Sequence, residues 1–193
     1  MVNGLSCPIL NGLVSIGHPQ GDKFALSSAI AHGMITPFQI RRTPMPRIQL
    51  SPAASYPFAT EMQIYISHVN QGGHLDNAQL LTLASEARVR FFKALGYFES
   101  GVEGALIVVA DIVAQYKSEG FHGETMRVEM NPADFNKYGF DLQFRMSEVT
   151  TARDVALGKI GIVFIMRECH KITAVPPAFL TRVEQFRVAS TRQ

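Results

Sequence analysis

Residues 67–79 read SHVNQGGHLDNAQ: two histidines, two asparagines, an aspartate and the Gly72-Gly73 pair, set just ahead of a long apolar run. Adjacent glycines mark a sharp bend, and Asp76 and Asn77 are residue types that cap helix N-termini. Behind them Leu80, Ala84, Ala87, Phe91 and Leu95 recur at three- and four-residue spacings, with Leu81, Leu83 and Phe92 widening the stripe. This spacing predicts a helix from about Asn77 to Leu95, buried over much of its circumference. The polar crowd therefore stands at the N-terminus of a buried helix.

Upstream, Met62, Ile64 and Ile66 alternate with Gln63, Tyr65 and Ser67, the pattern of a strand with one face in the core. Downstream, Ala105 to Tyr116 is almost continuously apolar and reads as a central strand. Glu124 to Met130 sets Met126, Val128 and Met130 against Thr125, Arg127 and Glu129. Phe140, Leu142, Phe144 and Met146 repeat that alternation, and Ile160, Ile162 and Phe164 carry it through Gly158 to Met166. Short turns containing Gly120, Gly123 or Gly139 join these segments. One strand, one greasy helix and four further strands predict an α+β fold in which an antiparallel sheet covers the helix, since no second helix of comparable length is visible.

Composition narrows the function. The chain has 193 residues, 47% hydrophobic and 18% charged, which is ordinary for a folded domain. Its formal net charge is +2 and its longest basic run is Arg41-Arg42, which argues against a nucleic-acid partner. Cys7 and Cys169 lack the spacing of a disulfide framework or a zinc knuckle, so a reducing compartment is expected. Without an apolar stretch of about 18 residues no membrane span is expected. No basic residue precedes the mildly apolar PILNGLVSIG, so a cytoplasmic location is expected. Residues 1–57, interrupted by Pro44, Pro46, Pro52 and Pro57, read as an irregular or accessory extension with a short helix near Phe24 to His32; residues 58–193 read as the domain.

The element order, GHLDNAQ ahead of the helix and Glu86-Ala87-Arg88 within it together resemble the hotdog fold, in particular the acyl-CoA thioesterases similar to 4-hydroxybenzoyl-CoA thioesterase. The pattern of that family is roughly D-x-D-x-x-G-H-x-N-N-A followed by a helix with E-x-A-R. The resemblance runs over about residues 58 to 180, including YKSEGFHGETMRVEM as a hairpin and Val175-Pro176-Pro177 after the last strand. It implies a five-stranded antiparallel sheet wrapped around one long central helix. It also implies a homodimer or homotetramer with sites between subunits, an acyl-CoA or acyl-carrier thioester as substrate, and no cofactor.

Thioester hydrolysis needs an oxyanion donor and a base. By its place in the family pattern the Asn77 backbone N–H is the candidate donor, with Gly72 and Gly73 allowing close approach of the substrate. The family's catalytic carboxylate matches Asn70, a neutral amide that cannot serve as base, and its first Asp matches His68. Candidates to replace it are His74, Glu86 on the helix, or Asp111 on the neighbouring strand. Lys117, Arg127 and Arg145 could meet CoA phosphates. Each has a structural alternative: Asp76 as a cap, Asn70 in an Asx-turn, His74 holding the turn, Glu86 paired with Arg88 or Arg90, and the cations as solvated faces. His68, His74 and Asp76 match no metal-ligand spacing, and no GxSxG context marks a serine nucleophile. Two other functions fit less of the pattern: a hotdog hydratase or dehydratase acting on enoyl thioesters, and a non-catalytic acyl-binding protein.

Overall fold

The computed structural model describes residues 48–190. In chain order they form β1 (Phe58–Gln63), a 3-10 turn (Ile66–His68), α1 (Asn77–Ala94), β2 (Ala105–Tyr116), β3 (Thr125–Ala133), β4 (Gly139–Glu148), β5 (Asp154–Met166) and α2 (Pro177–Ser190). The expected helix near Phe24 to His32, and most of the expected extension, lie outside the described residues. No helix among the described residues is long and apolar enough to cross a membrane.

The five strands form one antiparallel sheet in the order β1-β3-β4-β5-β2. Residues directly opposite one another share a face, and the register makes one face apolar. Met62 stands opposite Met126, Val128 opposite Met146, Met130 opposite Phe144, and Leu142 opposite Ile160. All of these are at most 8% exposed. The opposite face is polar, with Lys159 paired to Asp141 (2.5 Å) and Arg145 to Asp154 (2.7 Å). Gly158 faces Phe144, and a Cβ there would stand 2.1 Å from the phenyl ring. The missing side chain is therefore the space the ring occupies.

Helix α1 lays Leu80, Leu83, Ala84, Ala87, Phe91 and Phe92 onto the apolar face, over β1 and β3. The helix expected from about Asn77 to Leu95 is α1, with 18 residues, and α2, a helix of 14 residues not foreseen from the sequence, packs on the same face. Phe179 of α2 is fully buried against Phe92 (6.1 Å), Phe140 (5.5 Å) and Phe164 (5.3 Å). Helix α2 escaped the sequence reading because it buries only Phe179 and Val183, too little for a wide apolar stripe.

Two strand expectations also change. Ile64 is buried, but β1 stops at Gln63 and Ile66 sits 72% exposed on the 3-10 turn. Ala105 to Tyr116 is an edge strand rather than a central one, with Val108, Val109, Ile112 and Tyr116 each more than a third exposed. An apolar run reads alike whether a sheet neighbour or another molecule covers it.

The β4–β5 turn is held by Glu148, only 4% exposed. Its carboxylate accepts the Thr150 N–H (2.9 Å), the Thr151 hydroxyl (2.7 Å) and the Thr151 N–H (2.6 Å), which lower its pKa from 4.5 to about 2. A carboxylate depressed in the folded state stabilises the protein fully above its unfolded value, and that contribution fades as pH falls through the folded value. Replacing Glu148 by Gln is expected to lower the urea midpoint at neutral pH. The gap between variant and wild type should then close as pH drops from 4.5 toward about 2; a gap independent of pH would contradict the assignment.

Candidate active site

The stretch before α1 folds as a tight loop knotted on Asn70. The Asn70 N–H donates to the His74 carbonyl (3.0 Å), the Gly73 N–H donates to the Asn70 carbonyl (3.0 Å), and Asn70 Oδ1 accepts the Gly72 N–H (2.8 Å) in an Asx-turn. Asn70 Nδ2 also stands 3.4 Å from His74 Nδ1. The two glycines serve the loop in different ways. Gly73 takes φ +82°, and a Cβ on Gly72 would sit 2.9 Å from His74 Nε2 and 3.2 Å from Asn70 Oδ1.

Helix α1 begins directly after this loop. Asp76 is its cap, with Oδ1 accepting the Ala78 N–H (2.8 Å) and its own N–H donating to the His68 carbonyl (2.9 Å). The Asn77 N–H, at the first helical position, has no hydrogen-bond partner among the described residues. The Leu75 N–H donates to the Gly120 carbonyl (2.7 Å) and His74 bridges to Phe121, which ties this loop to the β2–β3 connection.

Between the two segments lies a pocket of about 380 Å³. Asn70, His74 and Asn77 line it together with Lys117, and Leu75, Leu80 and Val155 form its apolar wall. Tyr116, Ser118, Glu119 and Gly120 complete the lining from the other chain segment. Unpartnered N–H groups at a helix N-terminus attract a developing negative charge. The arrangement can thus hold a carbonyl whose oxygen becomes anionic, beside a cation and an acid.

The remaining candidates lie elsewhere. Glu86 is half exposed and bound to Arg90 (2.7 Å), lining a separate cleft with Glu61, Tyr65 and His68. Arg88 is occupied with Glu99 (2.6 Å), so both arginines of the helix serve ion pairs. His68 accepts the Tyr65 N–H on Nδ1 (3.2 Å). Asp111 stands beside Gly161, outside the pocket lining. Arg127 pairs with Glu61 and Glu129 (3.5 Å each), and Arg145 with Asp154. Among the described residues no three His, Cys, Asp or Glu side chains are grouped to hold a metal ion.

Glu119, Ser118 and Tyr116 were not singled out in the sequence. They lie in YKSEGFHG, far along the chain from Asn70 and His74, and the Leu75–Gly120 hydrogen bond and the His74–Phe121 bridge bring the two segments together. The turn glycine at position 120 was the one local signal there.

No curated protein matches the chain in sequence. Among solved structures it is similar to a 1,4-dihydroxy-2-naphthoyl-CoA thioesterase from Synechocystis, with 16% identity, a TM-score of 0.60, and coverage of 65% of this chain and 94% of that one. A Staphylococcus aureus protein solved in complex with CoA aligns at 16% identity and TM-score 0.62, over 72% of this chain and 89% of its own. A thioesterase-superfamily protein from a Jannaschia species aligns at 18% identity and TM-score 0.63, over 70% and 86%. These likenesses carry the hotdog fold. The family profile of the thioesterase-like superfamily matches residues 65–183, more than half of the sequence, and the chain belongs to that superfamily.

Proposed function

We propose that the protein hydrolyses the thioester of an acyl-CoA or acyl-carrier substrate to a free acid and a thiol. The observation that carries this reading is the pocket at the start of α1, where Asn77 brings a backbone N–H without a partner among the described residues into a lining shared with Asn70 and His74. In it the substrate carbonyl would accept from the Asn77 N–H, and that bond would strengthen as the oxygen becomes an oxyanion. Lys117, in the same lining, would meet a CoA phosphate, while Gly72 and Gly73 lie outside the lining and shape the loop that carries His74. A fold neighbour solved with CoA supports the choice of thiol carrier.

The reading includes a homodimer. Strand β2 is an edge of the sheet, 12 residues long, and exposes Val108, Val109 and Ile112. Natural edges are usually blunted by charge or covered. A second copy would cover this one and, because Tyr116 at its end also lines the pocket, would bring the site to the interface.

Two expected outcomes test this. Incubated with short, long and aromatic acyl-CoAs, the wild type should release free thiol, read by thiol trapping. Gly72→Ala should lower kcat/KM about 10- to 100-fold by displacing His74, and Glu86→Ala should stay within about threefold of wild type, as expected for an exposed ion pair. Absence of thiol release from every substrate would sink the reading, and hydration of an enoyl-CoA without thiol release would assign a hydratase instead. By analytical ultracentrifugation the wild type should sediment as a dimer or larger and Ile112→Lys as a monomer; an unchanged mass would exclude the β2 edge as the interface.

A further inference from the structure

We infer that Glu119 supplies the carboxylate that the Asn70 position lacks, acting as general base toward water; the inference rests on the thioesterase reading above. Among the described residues, Glu119 is the one acidic residue in the lining of the pocket that holds Asn70, His74 and Asn77. Other acids close by in the fold are committed: Asp76 caps α1, Glu86 binds Arg90, Glu124 binds Arg153 and Glu148 binds its own turn. Among the described residues the Glu119 carboxylate is engaged by no hydrogen bond or ion pair.

Its backbone, by contrast, is pinned on every side. The Ser118 hydroxyl donates to the Asp154 carbonyl (2.6 Å), and the Arg153 guanidinium donates to Ser118 Oγ (2.9 Å) and to the Glu119 carbonyl. Arg153 is itself neutralised by both Glu124 oxygens (2.8 and 3.0 Å). On the far side the Gly120 carbonyl accepts the Leu75 N–H, and Ile64 Cδ1 lies 3.0 Å from where a Gly120 Cβ would be. A held backbone with an uncommitted, solvent-reaching carboxylate combines positioning with the freedom to take a proton.

The step balances without any further reactant. The Glu119 carboxylate removes a proton from water as the water oxygen bonds to the thioester carbonyl carbon, and the Asn77 N–H stabilises the resulting oxyanion. Collapse of that intermediate breaks the C–S bond. The proton then passes from Glu119 to the departing sulfur, leaving a carboxylic acid and a free thiol.

Steady-state thiol release by wild type, Glu119→Gln and Glu119→Asp across the acid range is the test. Glu119→Gln should lose about 100-fold or more in kcat, with KM within about threefold. Wild-type kcat should fall at low pH along a carboxylate limb that the residual Glu119→Gln activity lacks, and Glu119→Asp should recover part of the rate. Wild-type activity with Glu119→Gln within about threefold of it in kcat would overturn the base while leaving the thioesterase reading standing. A loss confined to KM, or an acid limb that survives in Glu119→Gln, would overturn it likewise. Failure of the wild type to release thiol from any acyl-CoA would overturn both.

Discussion

The hydrogen bond from the Leu75 N–H to the Gly120 carbonyl, 2.7 Å long, joins two loops that the sequence keeps some 45 residues apart. On one side stands the Asn70–His74 loop that launches α1; on the other, the connection from β2 to β3. Everything proposed about chemistry depends on that juxtaposition, because neither loop makes a pocket alone. The bond is sheltered by Ile64 and Leu75, which pack closely against Gly120, so that a Cβ there would stand 3.0 Å from Ile64 Cδ1. A buried backbone pair of this kind is costly to leave unmade, so the two loops hold a fixed spacing.

The division of the sheet into two unlike faces sets the orientation of that pocket. Alternation along β3, β4 and β5 sends Met, Phe, Leu and Ile toward the helices and Asp, Arg and Lys outward. Helix α1 must then lie on the apolar side, and its N-terminus is delivered to the end of the sheet where β2 gives way to the β2–β3 loop. Aromatic packing of Phe92, Phe140, Phe164 and Phe179 locks the other end through α2. The helix is thus clamped at its C-terminal half by hydrophobic contact and at its N-terminus by polar geometry, which leaves the Asn77 N–H without a partner among the described residues.

Polar roles within the loop separate along a clear line. Asp76 and the Asn70 side chain are spent on local geometry, one capping the helix and one closing an Asx-turn. Glu86 and Arg90 satisfy each other on an exposed helix face, where Glu86 lines a cleft separate from the pocket of Asn70 and His74. Charge in the pocket comes from the other segment, in Lys117 and Glu119. A family pattern read along one loop finds Asn70 where a carboxylate is expected; the tertiary fold brings an acid to the same pocket from a different strand connection.

Sequence periodicity alone determined the strand–helix–four-strand order, the core faces of α1, β3, β4 and β5, and the bend at Gly72-Gly73, because these follow from short-range spacing of apolar residues and from backbone freedom. The pairing of Asn70, His74 and Asn77 was legible too, since a loop and the helix it starts are neighbours along the chain. Tertiary structure decided the rest. Strand order turned the apolar β2 into an exposed edge, a matter of which neighbours a strand finds and not of its composition. Burial of Phe179 made 177–190 a helix of the core with little amphipathic signal of its own. The meeting of Glu119 with Asn70 and His74 arises from long-range contacts between the two loops, and no local spacing encodes a distance across the sheet.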